Sequence, residues 1–294
     1  MNHGQLTGRR LAALMRQTAQ EWRQDNIPRL SAALSYYAIF ALSPLVLLIL
    51  TLGGAWLGEA HTRGQLDIQM QGALGTTTAE AVGNLVEVPE RPPTSLPAAL
   101  GSLAFLLFGA TRLFGELKEA LNLIWGVEKP RGKALRAWGR KRLVSMAMVA
   151  VLMVLFLLSM AFSMAVTAGA GAVQRWISIP PVLWSLTGLG LGLVMETVLF
   201  ALMFHILPDV KFPRRDVWLG AGLTAVLFEL GKLALGWFLS RDLATPGDGP
   251  AGSVMIVLLW VYYTSIIVLS GAEFTQVQSR WRYSPDRHHG SSNS

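Results

Sequence analysis

The sequence predicts an all-α integral membrane protein: six transmembrane helices, interfacial amphipathic helices, and both termini in the cytoplasm. Three observations carry that prediction. Charge is scarce, 15% of 294 residues against 52% hydrophobic, where a soluble domain carries about 25%. The apolar residues gather into six runs, at about 31–57, 96–115, 142–171, 182–207, 216–239 and 251–275, each meeting the roughly 20 residues a span needs. The segments between the runs alternate between rich and poor in Lys and Arg, and cytoplasmic loops are the rich ones.

The elements follow in chain order. Residues 1–29 form a cytoplasmic arm with Arg9, Arg10, Arg16, Arg23 and Arg29. Leu11, Leu14, Met15, Thr18 and Trp22 share one helical face and Arg9, Arg16 and Arg23 another, so the arm reads as an interfacial helix on the inner leaflet. It lacks the apolar core of a secretory signal. Ile27-Pro28 breaks it before the membrane domain, residues 30–280. The outer loop from about 58 to 95 is the longest. It has room for a short amphipathic helix before the prolines of "EVPERPPTSLP" forbid regular structure. Residues 113–125 continue span 2 inward as a second interfacial helix, with Leu113, Phe114, Leu117, Leu121, Ile124 and Trp125 on its apolar face. Base is then dense: Lys118, Lys129, Arg131, Lys133, Arg136, Arg140, Lys141 and Arg142. The turn after span 3 has Arg175 alone, the loop after span 4 has Lys211, Arg214 and Arg215, and the loop after span 5 has Arg241. The tail 281–294 is expected to be disordered and cytoplasmic. The net charge of +7 is that of a membrane protein's inner loops. Anionic lipid headgroups are its expected partners, and nucleic acid is not.

"IPRLSAALSYYAIFALSPLVLLI", "LLFGATRLFGELKEALNLIWGVEKPR", "ILPDVKFPRRDVWLGAGLTAVLFELGK" and "VMIVLLWVYYTSIIVLSGAEF" occur in that order. Together they resemble the YihY/BrkB family of bacterial inner-membrane proteins, over about residues 20–282. The resemblance implies six helices with both ends inside. Its implications for activity are several: the family has carried the labels ribonuclease BN, a tRNA-processing enzyme, and virulence factor, and transport of lipids or cations has been proposed for members. The chain departs from the family at "TPGDGPAGS", where a tyrosine-glycine loop is usual.

The chemistry is concentrated in span 5. Glu229 and Lys232 sit mid-span in "FELGKLALGW", and two such charges cost about 5–7 kcal/mol at a helix centre. The eleven Leu, Val and Phe residues of the span return about 3–7 kcal/mol. The pair must therefore be hidden from lipid. Gly222, Ala225, Glu229, Lys232 and Gly236 share a stripe, as do Ser185, Gly188, Gly192 and Glu196 of span 4. Two small-residue faces, each with a carboxylate, are expected to meet each other or a cavity. Glu196, Glu229 and Lys232 form the candidate substrate or coupling site; a helix-packing clamp is the alternative. Arg112, Glu116, Glu273 and His205 near the inner ends are candidates for a gate, or else a snorkelling pair and structural groups. Pro44 is a candidate hinge. Tyr36, Tyr37, Trp260, Tyr262 and Tyr263 read as interfacial anchors or cavity lining.

No enzyme is expected. Cysteine is absent, which excludes disulfides and thiol chemistry. Phosphate-loop, zinc-protease and nucleophile-elbow motifs are missing from the sequence, and no cofactor or metal is expected. Three functions fit: a transporter of an amphipathic, phospholipid-type substrate, a proton-coupled sodium or potassium antiporter, and a non-transporting envelope-assembly scaffold.

Overall fold

The computed structural model describes residues 3–85, 96–127, 181–210, 213–239 and 250–283. Every regular element among them is an α-helix. They are α1 (His3–Gln24), α2 (Ile27–Leu57), α3 (Glu59–Leu74), α4 (Thr76–Leu85), α5 (Leu96–Ile124), α6 (Pro181–Ile206), α7 (Arg214–Leu239) and α8 (Pro250–Tyr283). The span expected at 142–171, the basic segment 129–142 and the tail beyond 283 lie outside the described residues, as does most of "TPGDGPAGS".

The helix boundaries have local causes. Asn26 takes the left-handed conformation (φ 52°) between α1 and α2, which its short polar side chain tolerates. Pro28 follows in the first turn of α2, where a missing N–H costs nothing. The break expected at Ile27-Pro28 is thus present. Pro44 does not interrupt α2, which is helical through it. The segment expected to be the outer loop holds two helices rather than one: Gly58, at φ 84°, separates α2 from α3, and α4 follows and folds back against α8.

α8 is the central post. α1, α2, α4, α5 and α7 all pack on it; α2 also packs on α5, and α6 on α7. Two apolar cores lie along this post. One joins Ile27, Leu121, Trp125, Phe204, Phe228 and Leu269, among others, with Trp125 and Phe204 edge to face at 6.1 Å. The second joins Val46 and Ile49 of α2 to Leu66 of α3, Val82 of α4 and Val257 of α8. Among the described residues three helices are long and apolar enough to cross a membrane, Gly188–Ile206, Arg214–Leu239 and Ala251–Arg282. Their outward faces stay uncovered by protein, with Leu189, Val194, Leu230 and Leu233 exposed; hydrocarbon is the solvent that suits them.

Both expected interfacial faces meet protein. Leu117, Leu121, Ile124 and Trp125 are buried in the first core, and the Trp125 indole donates to the Ala272 carbonyl at 3.2 Å. In the arm, Trp22 packs on the same core and donates to Ser270 Oγ at 2.9 Å, while Met15 stays exposed. Residues with an apolar face next to a basic one can satisfy that face on a helix as well as on lipid, and here a helix is within reach.

α7 and α8 meet where glycines leave room for the partner helix's side chains. Each carries the same five-residue pattern, "GAGLT" from Gly220 and "GAEFT" from Gly271. The Thr275 hydroxyl occupies the place a Cβ on Gly220 would need, and the Thr224 hydroxyl does the same at Gly271. Each hydroxyl is donated back to the glycine carbonyl four residues earlier in its own helix, both at 2.7 Å. The pairing 220 with 275 and 224 with 271 makes the two helices antiparallel. Further along, Gly231 faces Tyr263 and Ile267 at distances that leave no room for a methyl. Gly220→Ala is therefore expected to destabilise the protein by about 1–3 kcal/mol, the usual cost of overpacking. Gly222→Ala, two residues away in open space, should be neutral or slightly stabilising; thermal unfolding in one detergent compares the two, and equal melting points would refute the packing.

Candidate functional site

The site is built by α6 and α7. A helix turns about 100° per residue, so Glu229 and Lys232, three apart, lie on one face of α7, and that face meets α6. Lys232 Nζ donates to Glu229 Oε1 and to Glu196 Oε1, both at 2.9 Å. The three side chains are 15–21% exposed. Lys232 Nζ also stands 5.2 Å from the centroid of the Phe228 ring, a cation–π distance. Glu229 Oε1 lies 3.9 Å from where a Cβ on Gly192 would stand, an ordinary contact distance, so the carboxylate lies beside α6 at that level. Two carboxylates and one ammonium leave a formal charge of −1. Glu196 Oε2 is buried with no hydrogen-bond partner among the described residues.

The sequence-predicted stripes are only partly realised. Glu196, Glu229 and Lys232 come together, with Gly192 beside them, and Ala225 is buried in the core. Gly188, Gly222 and Gly236 face open space, and the side chain of Ser185 lies outside the described residues. The reason is that α7 has two neighbours. Its glycines of close approach, Gly220 and Gly231, serve α8, whereas the charged face serves α6.

The four gate candidates do not form one cluster. Arg112 is exposed and lies 5.6 Å from the centroid of the Phe108 ring of its own helix. Glu116 is half-buried and makes no ion pair with it among the described residues. His205 is exposed at the end of α6. Glu273 is fully buried, on the face of α8 that α1 covers. Of the aromatic group, Tyr36 is exposed and packs edge to face on Tyr37 and Phe40. Trp260 and Tyr263 pack on the first core.

Further ion pairs were not legible in the sequence. Buried Lys118 of α5 donates to Asp209 Oδ1 at 2.7 Å, and Asn122 exchanges two further hydrogen bonds with Asp209 at 3.0 Å. Lys118 is thus a tie between α5 and the turn after α6 rather than a headgroup contact. Asp216, in the first turn of α7, is fully buried and paired with Arg282 near the end of α8. Both aspartates belong to "ILPDVKFPRRD", whose polar residues therefore fasten the turn between α6 and α7.

Breaking a buried charge cluster by removing its only cation leaves like charges facing each other in an apolar setting, at a cost of about 3–5 kcal/mol. Lys232→Met is expected to lower the melting temperature sharply. Adding Glu196→Gln and Glu229→Gln to it should restore most of the loss, since no buried charge then remains. Thermal unfolding of the single and triple variants checks this; a triple variant no better than the single one would refute electrostatic origin.

A family model described as Virulence factor BrkB matches residues 18–293. Similar curated proteins are named UPF0761 membrane proteins. The one from Alkalilimnicola ehrlichii is 28% identical over 275 residues, 92% of this chain and 58% of the relative. Those from Alcanivorax borkumensis and Chromobacterium violaceum are 26% and 27% identical over 87% of this chain, covering 58% and 59% of their own lengths. The chain thus spans less than two thirds of the length of these relatives. No solved structure matches it. The fold, the apolar helices and these matches agree: the chain is a membrane protein and belongs to the Virulence factor BrkB family.

Proposed function

We propose that this chain is a multi-pass inner-membrane protein with six spans and both termini in the cytoplasm, and that it carries a phospholipid-type amphipath between the leaflets. The observation that supports the transport reading most is the Glu196–Lys232–Glu229 cluster, three ionisable groups on helices whose outer faces are apolar. Ionisable groups at such positions mark substrate or ion pathways more often than not. A phospholipid headgroup carries a phosphate and commonly an ammonium. The cluster offers both complements: Lys232 for the phosphate, and the unpartnered Glu196 Oε2 for the ammonium. Exchange of sodium or potassium for protons fits less well, because Lys232 already occupies the position between the two carboxylates where a metal cation would sit.

Reconstituted protein is expected to speed movement of a headgroup-labelled phospholipid between leaflets of a proteoliposome, and Glu229→Gln to slow it at least tenfold. Verified insertion with no exchange in the wild type would overturn the lipid reading. Sodium or potassium flux from the same vesicles would replace it with the antiporter; silence in both assays would leave the scaffold.

The topology has its own test. With no native cysteine, a single introduced one reports its side of the membrane. A membrane-impermeant thiol reagent is expected to label Glu80→Cys in intact spheroplasts, and Arg10→Cys and Arg287→Cys only after permeabilisation. Labelling of either terminal position from outside would redraw the topology.

A further inference from the structure

Glu273 raises a problem of donors. It is fully buried, and neither carboxyl oxygen has a hydrogen-bond partner of ordinary kind. The groups that face it are the carboxyls of Glu21 in α1 and Asp25 in the α1–α2 turn, and the Arg280 guanidinium about two turns further along α8. Among the described residues, Asp25, Glu21 and Arg280 are the charged groups that act on it most strongly. Arg280 is already committed: its Nη1 donates to both oxygens of Glu21, at 3.2 and 3.1 Å. Gln17 Nε2 adds a third hydrogen bond to Glu21, at 2.8 Å. Three carboxyls therefore share one cation, and that cation, like the Gln17 amide, serves Glu21. Asp25 and Glu273 are left facing each other.

Two ionised carboxylates in contact repel, and a buried one without donors is costly. Something must stand between them. The described residues hold no cluster suited to a metal ion. We infer that Asp25 and Glu273 share a single proton, and that this proton latches the arm onto α8. The Asp25 carboxyl fits that role: burial, then the negative charge of Glu21, raises it above the ordinary carboxylate range, against the opposing pull of Arg280 and of the hydrogen bond from Glu273. The sign follows from linkage. A carboxyl whose protonated form is favoured by docking strengthens the docked state at low pH and loses that contribution as pH rises through the raised value. The contacts beside the latch, Trp22 with Ser270 and Trp281 with Gln17, do not titrate in this range, so they set a baseline of docking that the proton adds to. The latch stands independently of the transport reading.

Spin labels at Arg23→Cys, on the exposed side of α1, and Leu123→Cys, on the exposed side of α5, measure the arm's position in the full chain in lipid nanodiscs. A single short distance is expected near pH 5. It should give way to a longer, broader distribution towards pH 9, over about two pH units as for one proton. Glu273→Gln supplies an amide donor to Asp25 in place of the shared proton, so that variant should stay docked across the range. Asp25→Asn does the same from the other side and serves if the first variant does not fold. An arm indifferent to pH in the wild type would overturn the latch, as would either variant keeping the wild-type transition. A transition that responds to added magnesium at fixed pH would assign the place to a metal ion and overturn the proton.

Discussion

Lys232 is bound by two carboxylates from two helices, and much of the fold can be read as the cost of keeping that arrangement out of hydrocarbon. A charged group at the centre of a span costs about 2.5–3.5 kcal/mol, so α7 alone is close to neutral between water and lipid. Packing against α6 changes the balance, because Glu196 gives the ammonium a second hydrogen bond and Gly192 of α6 lies beside the Glu229 carboxylate. The dependence is mutual. α6 carries its own carboxylate and lacks a cation of its own at that level. Neither helix is well solvated in the membrane by itself, and each supplies what the other lacks. The short fastened turn between them, held by Asp209 to α5 and by Asp216 to α8, keeps the two in register.

α8 solves a different problem. It must be covered on several sides at once, and its sequence divides the faces. Gly271 and Thr275 meet α7 at a distance only a glycine permits, while Glu273, between them in sequence and on the opposite face, meets the arm. The threonine hydroxyls at the α7–α8 seam satisfy themselves on their own backbones, which lets polar residues sit in a dry interface without unpaired groups. The same economy is missing on the arm side, where Glu273 and Gln276 Oε1 are buried without ordinary partners. One face of the helix is closed for good, and the other holds groups whose state depends on protons.

This division explains what could be read in the sequence. The apolar runs located α6 and α7 to within a residue or two, since their outward faces need lipid and hydropathy measures that need. α8 continues as a helix past the end of its apolar run at about 275, to Tyr283: Thr275, Gln276 and Ser279 are polar yet buried, covered by other helices. Glu229 and Lys232 were legible because three residues of helix bring them together, and Glu196 because it shared their depth. Asp209 and Asp216 were not, because their partners lie 91 and 66 residues away and a surface charge near a helix end looks the same as a buried one. The repeated "GAGLT" and "GAEFT" were legible in principle. The stripe through Gly222 and Gly236 contains the charges, whereas the glycines that matter for packing, Gly220 and Gly231, lie on the other side of the helix.

The two seams of α7 therefore differ in kind, and the difference bears on how the molecule can move. Interlocked side chains at glycine distance resist sliding, because any shift drives a threonine into backbone. Gly220, Thr224 and Gly231 bind α7 to α8 in that way along three successive levels, so the two helices behave as one rigid piece. The α6–α7 seam has no such interlock at the described levels. Gly188 faces open space, Gly192 stands at ordinary contact distance, and the helices are joined there by hydrogen bonds to one flexible lysine side chain and by Phe200 packed edge to face on Phe228 at 5.7 Å. Hydrogen bonds to a long ammonium stem can be exchanged for bonds to another charged group without repacking a core. On the proposed transport reading, the α6–α7 seam is therefore where Lys232 would meet an entering headgroup.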